Sequence, residues 1–201
     1  MQTILEKAIA AIENDPQGRV HGNGFIQIDI DKHSRLHIWG DPRIPQQVRP
    51  TPIHDHRFSF TSHCLLGRMI NVKYDAVFGN DYDIYEPTVR EGEDTVLGKT
   101  GKTLTLFPRP PEICYPGMEY RMRWGHLHET FVSGLTVTHM QKSYVSDLTP
   151  RVLCPVHLTP DNDFHRYSDE NRRACGKVLD DVLLALKGDK SDGVHKELQD
   201  V

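Results

Sequence analysis

Two stretches of the sequence carry histidines whose spacing suits a metal ion. In the first, His54 and His56 are separated by a single residue. Because side chains alternate between the faces of a strand, these two rings point the same way and lie about 7 Å apart along the chain. In the second, His128 lies in a strand-like segment over 127–132. Three imidazoles from two strands can cover one side of an ion and leave other positions open for water, oxygen or a substrate.

The strand predicted over 53–66 presents an apolar face beyond its two histidines. The residues on that face are Phe58, Phe60, Ser62, Cys64 and Leu66. An apolar face is expected to look inward, where two histidines are costly unless a metal ion or a hydrogen-bond network satisfies them. Two interpretations therefore stay open, a metal site and a hydrogen-bonded histidine cluster in a metal-free barrel.

The spacing of these residues resembles the two motifs of the cupin superfamily, G-x5-H-x-H-x3-E-x6-G and G-x5-P-x-G-x2-H-x3-N. The positions that keep this spacing are His54, His56 and Gly67 in the first motif and Gly117, Gly125 and His128 in the second. The resemblance covers roughly residues 45–145. It implies a jelly-roll barrel, the double-stranded β-helix of that family, with His54, His56 and His128 as the metal ligands.

The chain departs from the cupin motifs at four positions. They hold Val48 for the leading glycine, Phe60 for the glutamate, Arg123 for the proline and Val132 for the asparagine. Phe60 cannot bind a metal, so the site has three histidines and no carboxylate. That departure is similar to the thiol dioxygenases of the cysteine dioxygenase type. It implies a mononuclear non-haem iron oxidoreductase acting on a small anionic molecule, with Fe(II) as the preferred metal and Zn, Ni or Cu as alternatives.

The charge of such a site gives an independent reason to expect an anionic substrate. Three neutral imidazoles leave a divalent ion with its full positive charge, which favours thiolate, carboxylate or enolate ligands in the open positions. Imidazole suits Fe, Zn, Cu and Ni alike, so ligand type does not select the metal. A non-catalytic small-molecule-binding or regulatory cupin, a metal-dependent isomerase and an interaction protein remain as alternative functions.

Six further side chains are candidates to line a pocket beside the three histidines: Phe58, Phe60, Cys64, Tyr74, His126 and His139. The two phenylalanines would form a dry wall that strengthens electrostatic interactions. His126 has the same strand parity as His128, and His139 lies on the last predicted barrel strand. Ordinary packing or solvent exposure is the alternative interpretation for each of the six.

Strand patterns fill the region 20–160, so the fold is predicted to be mainly β. The cupin resemblance implies that this region is the β-barrel. Short runs of alternating apolar residues are separated there by Gly and Pro clusters, as in sandwiches and barrels. The acidic, Gly-rich stretch 79–102 is predicted to be a hairpin followed by a long loop.

Helical patterns flank the barrel on both sides. The segment 1–19 is predicted to be a helix because Ile4, Leu5, Ala8, Ile9 and Ile12 share one face. A second helix is predicted within 161–188, capped by Ser168 and ended by Gly188, with a polar tail over 189–201.

Composition excludes several classes of protein. The 201 residues carry a formal net charge of −4, without the basic surface of a nucleic-acid-binding protein. No apolar run approaches the roughly 20 residues of a membrane span. The four cysteines form no CxxC pair, which is typical of reduced thiols and predicts a cytoplasmic protein. The expected partner is therefore a small molecule, and the cupin resemblance implies a homodimer.

Overall fold

The computed structural model describes residues 2–46, 52–89, 95–160, 167–168 and 172–188, which hold two helices and twelve strands. In chain order they are α1 (Ile4–Asn14), β1 (Arg19–His21), β2 (Phe25–Asp29), β3 (Ser34–Trp39), β4 (Phe58–Leu66), β5 (Met69–Val89), β6 (Thr95–Pro108), β7 (Glu112–Cys114), β8 (Glu119–Met122), β9 (Leu127–Val132), β10 (Thr136–Val145), β11 (Val152–Pro155), β12 (Tyr167–Ser168) and α2 (Arg172–Gly188). The predicted mainly β fold is confirmed.

The strands form two antiparallel sheets. The first has the order β12-β1-β2-β3-β10-β4-β8, and in the second β5 pairs with β6, β7, β9 and β11. His54 joins the second sheet through isolated bridges to His128 of β9 and Val152 of β11.

The order of the barrel strands is that of a jelly roll. We number the barrel strands one to eight in chain order as β3, the His54 bridge, β4, β5, β6, β8, β9 and β10. The first sheet then has the order 1-8-3-6, and the second has the order 2-7-4-5. This interleaving of the two sheets is a jelly roll. The predicted barrel with flanking helices is therefore confirmed.

Both helices pack on the outer face of the first sheet. Their apolar sides, which include Ile12 of α1 and Val182 of α2, form one buried cluster with Ile26, Ile38 and Val137 of the sheet. A capping box between the backbones and side chains of Thr3 and Glu6 starts α1. No helix in the described ranges combines the length and the hydropathy needed to cross a membrane.

Along β2 and β3, the side chains that alternate with this buried cluster point to the inner face of the first sheet. On β2 and β3 these residues are Phe25, Gln27, Arg35, His37 and Trp39, and all five line the cavity described below. The inner wall of the barrel is therefore partly polar, while the outer face of the same sheet is apolar.

The turn between β4 and β5 requires a glycine at position 67, which is the last glycine of the first motif. Its φ is +78°, a conformation that residues with a Cβ rarely adopt, and a Cβ there would collide with the Leu135 carbonyl oxygen. Backbone geometry thus explains this motif position without any role in chemistry.

The predicted long loop within 79–102 is wrong. β5 continues to Val89, and β6 begins at Thr95 and pairs with it along its length. The Gly79–Asn80 sequence lies in a register shift between Phe78 and Tyr82, where a bulge absorbs the extra residues. The glycine that suggested a chain break is needed for close packing, because a Cβ on Gly79 would collide with Thr105.

The prediction of one continuous strand over 53–66 is also wrong. The chain pairs at residue 54 with the second sheet, and strand β4 begins in the first sheet at Phe58. Residues 55–57 carry the chain from one sheet to the other. The two histidines of the H-x-H motif are therefore joined by a crossover between sheets and do not lie on one strand.

Ser168 is not the N-cap of the second helix. It lies in β12, where its backbone pairs with Val20 of β1, and the helix begins at Arg172. The segment predicted as the C-terminal helix thus also supplies an edge strand to the first sheet. The predicted polar tail over 189–201 lies outside the described residues.

Candidate metal centre

Backbone pairing brings the first and third histidines of the candidate site together. The His54 N–H donates to the His128 carbonyl at 3.0 Å, and the His128 N–H donates to the His54 carbonyl at 2.9 Å. Facing residues of an antiparallel pair present their side chains on the same side of the sheet. The rings of His54 and His128 consequently lie with their centroids 4.8 Å apart.

His56 reaches the same point from the crossover. The Gly125 N–H, in the turn before β9, donates to the His56 carbonyl at 2.9 Å and holds the crossover against that turn. The His56 ring centroid is 4.8 Å from that of His54 and 5.2 Å from that of His128. The three predicted ligands are therefore brought together, although by a different path from the predicted strand.

The separations of the nitrogens fit a single ion. One candidate ligand atom from each ring lies within 4.8 Å of the others, and Nε2 of His56 is 3.1 Å from Nε2 of His128. Metal–imidazole bonds of about 2.0–2.1 Å place adjacent ligand nitrogens about 3 Å apart. Three imidazoles also form a donor set that Fe, Zn, Ni and Cu all accept.

A hydrogen-bond chain fixes the protonation of the His128 ring. Asn71 is fully buried on β5, and its Oδ1 lies 2.8 Å from Nδ1 of His128. The Asn71 amide donates through Nδ2 to Glu112 at 3.0 Å, and Lys73 donates to the same carboxylate at 2.8 Å. Because a carboxylate only accepts, Oδ1 must face the histidine and Nδ1 must carry the proton. Nε2 of His128 is then the candidate ligand atom, with its lone pair towards the site.

His54 is held in the same tautomer by a backbone acceptor. Its Nδ1 lies 2.7 Å from the Pro52 carbonyl oxygen, so Nδ1 donates and Nε2 is the candidate ligand atom. A second hydrogen bond that orients the ring and sets its tautomer is usual for histidines that bind metal ions. Two of the three rings therefore have the outer hydrogen bonds of a metal site.

The interior of the barrel favours neutral imidazoles at this site. Loss of solvent lowers the pKa of His56 and of His128 well below the ordinary range, and the neighbouring His54 adds to both shifts. Lys73 contributes further to the shift of His128. Since only a neutral imidazole binds a metal ion, the same conditions favour ligation over a wide range of pH.

A buried ion pair clamps the crossover that carries His56. Asp55 is 4% exposed, and it accepts from the backbone N–H of Arg151 at 2.6 Å and from its Nε at 2.7 Å. The same guanidinium donates through Nη2 to the Gly125 carbonyl at 2.9 Å. The H-x-H segment, the turn before β9 and the start of β11 are thus held by one side chain.

Sequence reasoning missed Asn71, Asp55 and Arg151. The position of Asp55 between two histidines was an available signal. No sequence signal pointed to Asn71 or Arg151, because their roles depend on which strands pair.

An open cavity of about 1650 Å³ adjoins the three histidines and is lined by all of them. Phe58 and Phe60 line it as well, with ring centroids 5.0 and 5.2 Å from that of His56. Phe60 is 4% exposed and occupies the position of the glutamate in the cupin motif. Two aromatic rings therefore line the cavity beside His56.

Cys64 and His139 lie outside the lining of this cavity. Cys64 is buried in an apolar cluster with Phe60, and burial raises the pKa of its thiol to about 11, which keeps it protonated at neutral pH. His139 lies on the opposite face of β10 from the cavity-lining Met140, with its ring 6.0 Å from that of His63.

Tyr74 and His126 are also outside the lining of the cavity. Tyr74 donates to Glu129, which alternates with His128 along β9 and so lies on the other face of that strand. His126 is exposed in the turn before β9, where the strand parity assumed from the sequence does not apply. Neither belongs to the three-histidine group found among the described residues.

Replacing Asn71 by leucine is expected to weaken binding of a divalent metal about 10- to 100-fold. The substitution preserves the volume of the side chain but leaves Nδ1 of His128 without its acceptor, so ring orientation and tautomer are no longer held. Titration with Zn²⁺ against a chromophoric chelator measures the change. Glu112→Gln, which touches Asn71 but not the histidine, should give a smaller loss. Wild-type affinity in Asn71→Leu would contradict the role given to this hydrogen bond.

The comparisons with known proteins find structural similarity but no sequence match. No protein-family model matches the chain, and no curated protein sequence does. Among solved structures, a hydroquinone 1,2-dioxygenase from Sphingomonas sp. TTNP3 with 4-hydroxybenzoate bound is similar over 68% of this chain and 72% of that chain, with 8% identity and a TM-score of 0.31. The jelly roll follows from the strand order of the two sheets, and the candidate site follows from the convergence of the three histidines.

Proposed function

We propose that this chain is a metal-dependent oxidoreductase of the cupin type that acts on a small anionic molecule. His54, His56 and His128 would hold one divalent transition-metal ion, with Fe(II) as the preferred metal. The observation that carries the proposal is the convergence of three imidazoles, two of which donate through Nδ1 to fixed acceptors. Iron(II) bound there would supply Lewis acidity and one-electron redox chemistry.

The residues around the site determine which ligands it favours. Asn71 and Pro52 keep two rings in the tautomer that presents Nε2. Phe58 and Phe60 keep water from one side of the site, which strengthens every charge interaction within it. With Phe60 in place of a glutamate, the histidines contribute no negative charge, so an anionic substrate group would be the natural partner of the ion.

Anaerobic metal loading tests this proposal. Purified protein is incubated with Fe²⁺, Co²⁺, Ni²⁺, Cu²⁺ or Zn²⁺, passed through a desalting column and analysed for metal content. We expect close to one ion per chain and, for Co²⁺, visible absorption bands of a nitrogen-ligated centre. Fe²⁺-loaded protein should then consume oxygen with small organic acids or thiols. Failure to retain any of the five ions would refute the metal site.

A non-catalytic small-molecule-binding protein is the second candidate. The cavity of about 1650 Å³ supports it, because this space could hold a small ligand whether or not a metal ion is bound. Ligand binding without oxygen consumption by the Fe²⁺-loaded protein would support this role over the oxidoreductase.

A further inference from the structure

The three candidate ligands are not held in place in the same way. The rings of His54 and His128 each have an acceptor for Nδ1, and their backbones pair with each other in the second sheet. Nδ1 of His56 has no such acceptor among the described residues. Its ring packs instead against Phe58 and Phe60, with centroid distances of 5.0 and 5.2 Å. The position of His56 therefore depends on what holds the backbone on either side of it.

The connection between β10 and β11 is bonded to the chain on both sides of His56. On one side, the Ser146 N–H and hydroxyl both donate to the Arg57 carbonyl, at 2.7 and 2.8 Å. On the other side, the Asp55 N–H donates to the Arg151 carbonyl at 3.0 Å, in addition to the ion pair between the two side chains. The two ends of one short connection thus hold the two residues that flank the ligand.

The middle of this connection is exposed and is held mainly through its ends. Asp147, Leu148 and Thr149 are exposed, and within the described ranges their one hydrogen bond runs from the Leu148 N–H to the Ser146 hydroxyl, at 3.4 Å. These three residues line both the cavity beside the histidines and a second cavity of about 550 Å³. His56 lines both cavities as well. The connection is therefore part of the wall between two cavities.

We infer that the β10–β11 connection sets the position of His56, with Ser146 as its positioning residue. His54 and His128 are fixed by sheet pairing and by their own acceptors, so His56 is the ligand whose place the connection determines. The Ser146 hydroxyl has this role because it donates to the carbonyl next to the ligand and accepts from Leu148 in the exposed middle. The effect on metal binding rests on the proposed function, whereas the positioning of the ring does not.

Removing this hydroxyl should loosen the crossover without unfolding the barrel. In Ser146→Ala the Arg57 carbonyl keeps the backbone N–H of residue 146 as a donor, so no polar group is left without a partner there. Thermal melting of Ser146→Ala should therefore remain close to that of the wild type. A change at His56 in this variant then reports a lost anchor and not a loss of fold.

NMR of the imidazole rings in the full-length metal-free chain tests the positioning directly. The ring signals of the three histidines are followed in the wild type, in Ser146→Ala and in Ser146→Thr. We expect the His56 signals to shift or broaden in Ser146→Ala and to return towards their wild-type positions in Ser146→Thr, which restores the hydroxyl. The signals of His54 and His128 should change much less.

Metal titration tests the consequence for the site. Competition with a chelator for Zn²⁺ or Co²⁺ should show about three- to tenfold weaker binding by Ser146→Ala, a smaller loss than that for a group bonded to the ligand ring itself. The Co²⁺ absorption bands should also shift, because they depend on ligand geometry. Ser143→Ala is the matched control, since its hydroxyl donates to the Ser59 carbonyl at 3.3 Å, away from His56. It should behave like the wild type in both experiments.

Arg151→Lys is the second variant, and it carries the test if Ser146→Ala does not fold. A single ammonium replaces the guanidinium that reaches both Asp55 and the Gly125 carbonyl, so the His56 signals should again move. Unchanged His56 signals in the folded variants, equal changes at His54 and His128, or the same change in Ser143→Ala would overturn the inference. Displaced His56 signals in a chain that retains no metal would refute the proposed function and leave the positioning role standing.

Discussion

Alanine in place of His128 is expected to lower the affinity for a divalent transition metal at least about 100-fold, more than the loss of a hydrogen-bonded neighbour of a ligand. His128 is the centre of the group, since its backbone pairs with His54 and its Nε2 lies 3.1 Å from that of His56. Removal of the His128 ring leaves two candidate ligands and breaks the hydrogen bond to Asn71. Competition between the protein and a chelator for Zn²⁺ or Co²⁺, under anaerobic conditions, gives the affinity ratio.

His126→Ala is the matched control for this experiment. His126 lies two residues away in the same loop and strand region, but it is exposed and outside the three-histidine group. This variant should bind metal like the wild type. If His128→Ala folds and binds metal with wild-type affinity, the three histidines are only a hydrogen-bonded cluster.

Acid is expected to destabilise the metal-free protein, and leucine at position 139 should remove part of that effect. Burial lowers the pKa of His139 to about 4 in the folded chain, compared with about 6.5 in the unfolded chain. Below pH 6.5 the unfolded chain therefore binds a proton that the folded chain does not, so stability falls as the pH drops from 6.5 to 4. At pH 5 this one group costs about 2 kcal/mol. His37, His56 and His128 have lowered pKa values and act in the same direction.

Urea unfolding at pH 7 and pH 5 measures this loss of stability. Between these two pH values, the wild type should lose about 2 kcal/mol more than His139→Leu. His157→Gln, which changes an exposed histidine after β11, serves as the control and should follow the wild type. An identical loss in the wild type and in His139→Leu would show that His139 does not carry this effect.

The candidate ligands could be predicted because the H-x-H spacing and a distant histidine suffice to identify them. The reason given for their convergence was nevertheless wrong. His54 and His56 share one direction because the chain crosses between sheets at residues 55–57, not because they alternate on one strand. A crossover of this kind depends on pairing with His128 and Val152, which no local pattern reveals.

The supporting residues could not be predicted for the same physical reason. Asn71 meets His128 only because β5 and β9 pair in one register, and Arg151 meets Asp55 only because the chain returns beside residue 54. In the stretch 79–102, the sequence predicted a long loop where the structure has paired strands. Its glycines and acidic residues are typical of loops, but pairing with a long partner strand outweighs that local preference.

The two-sided construction of the first sheet separates the task of folding from the task of binding. Its outer face, sealed by α1 and α2, supplies a large apolar core that is independent of the barrel interior. The inner face is consequently free to carry arginine, histidine and lysine in an open cavity without compromising the fold. Substitutions on the inner wall can therefore change the lining of the cavity, while the helix-covered layer keeps the barrel intact.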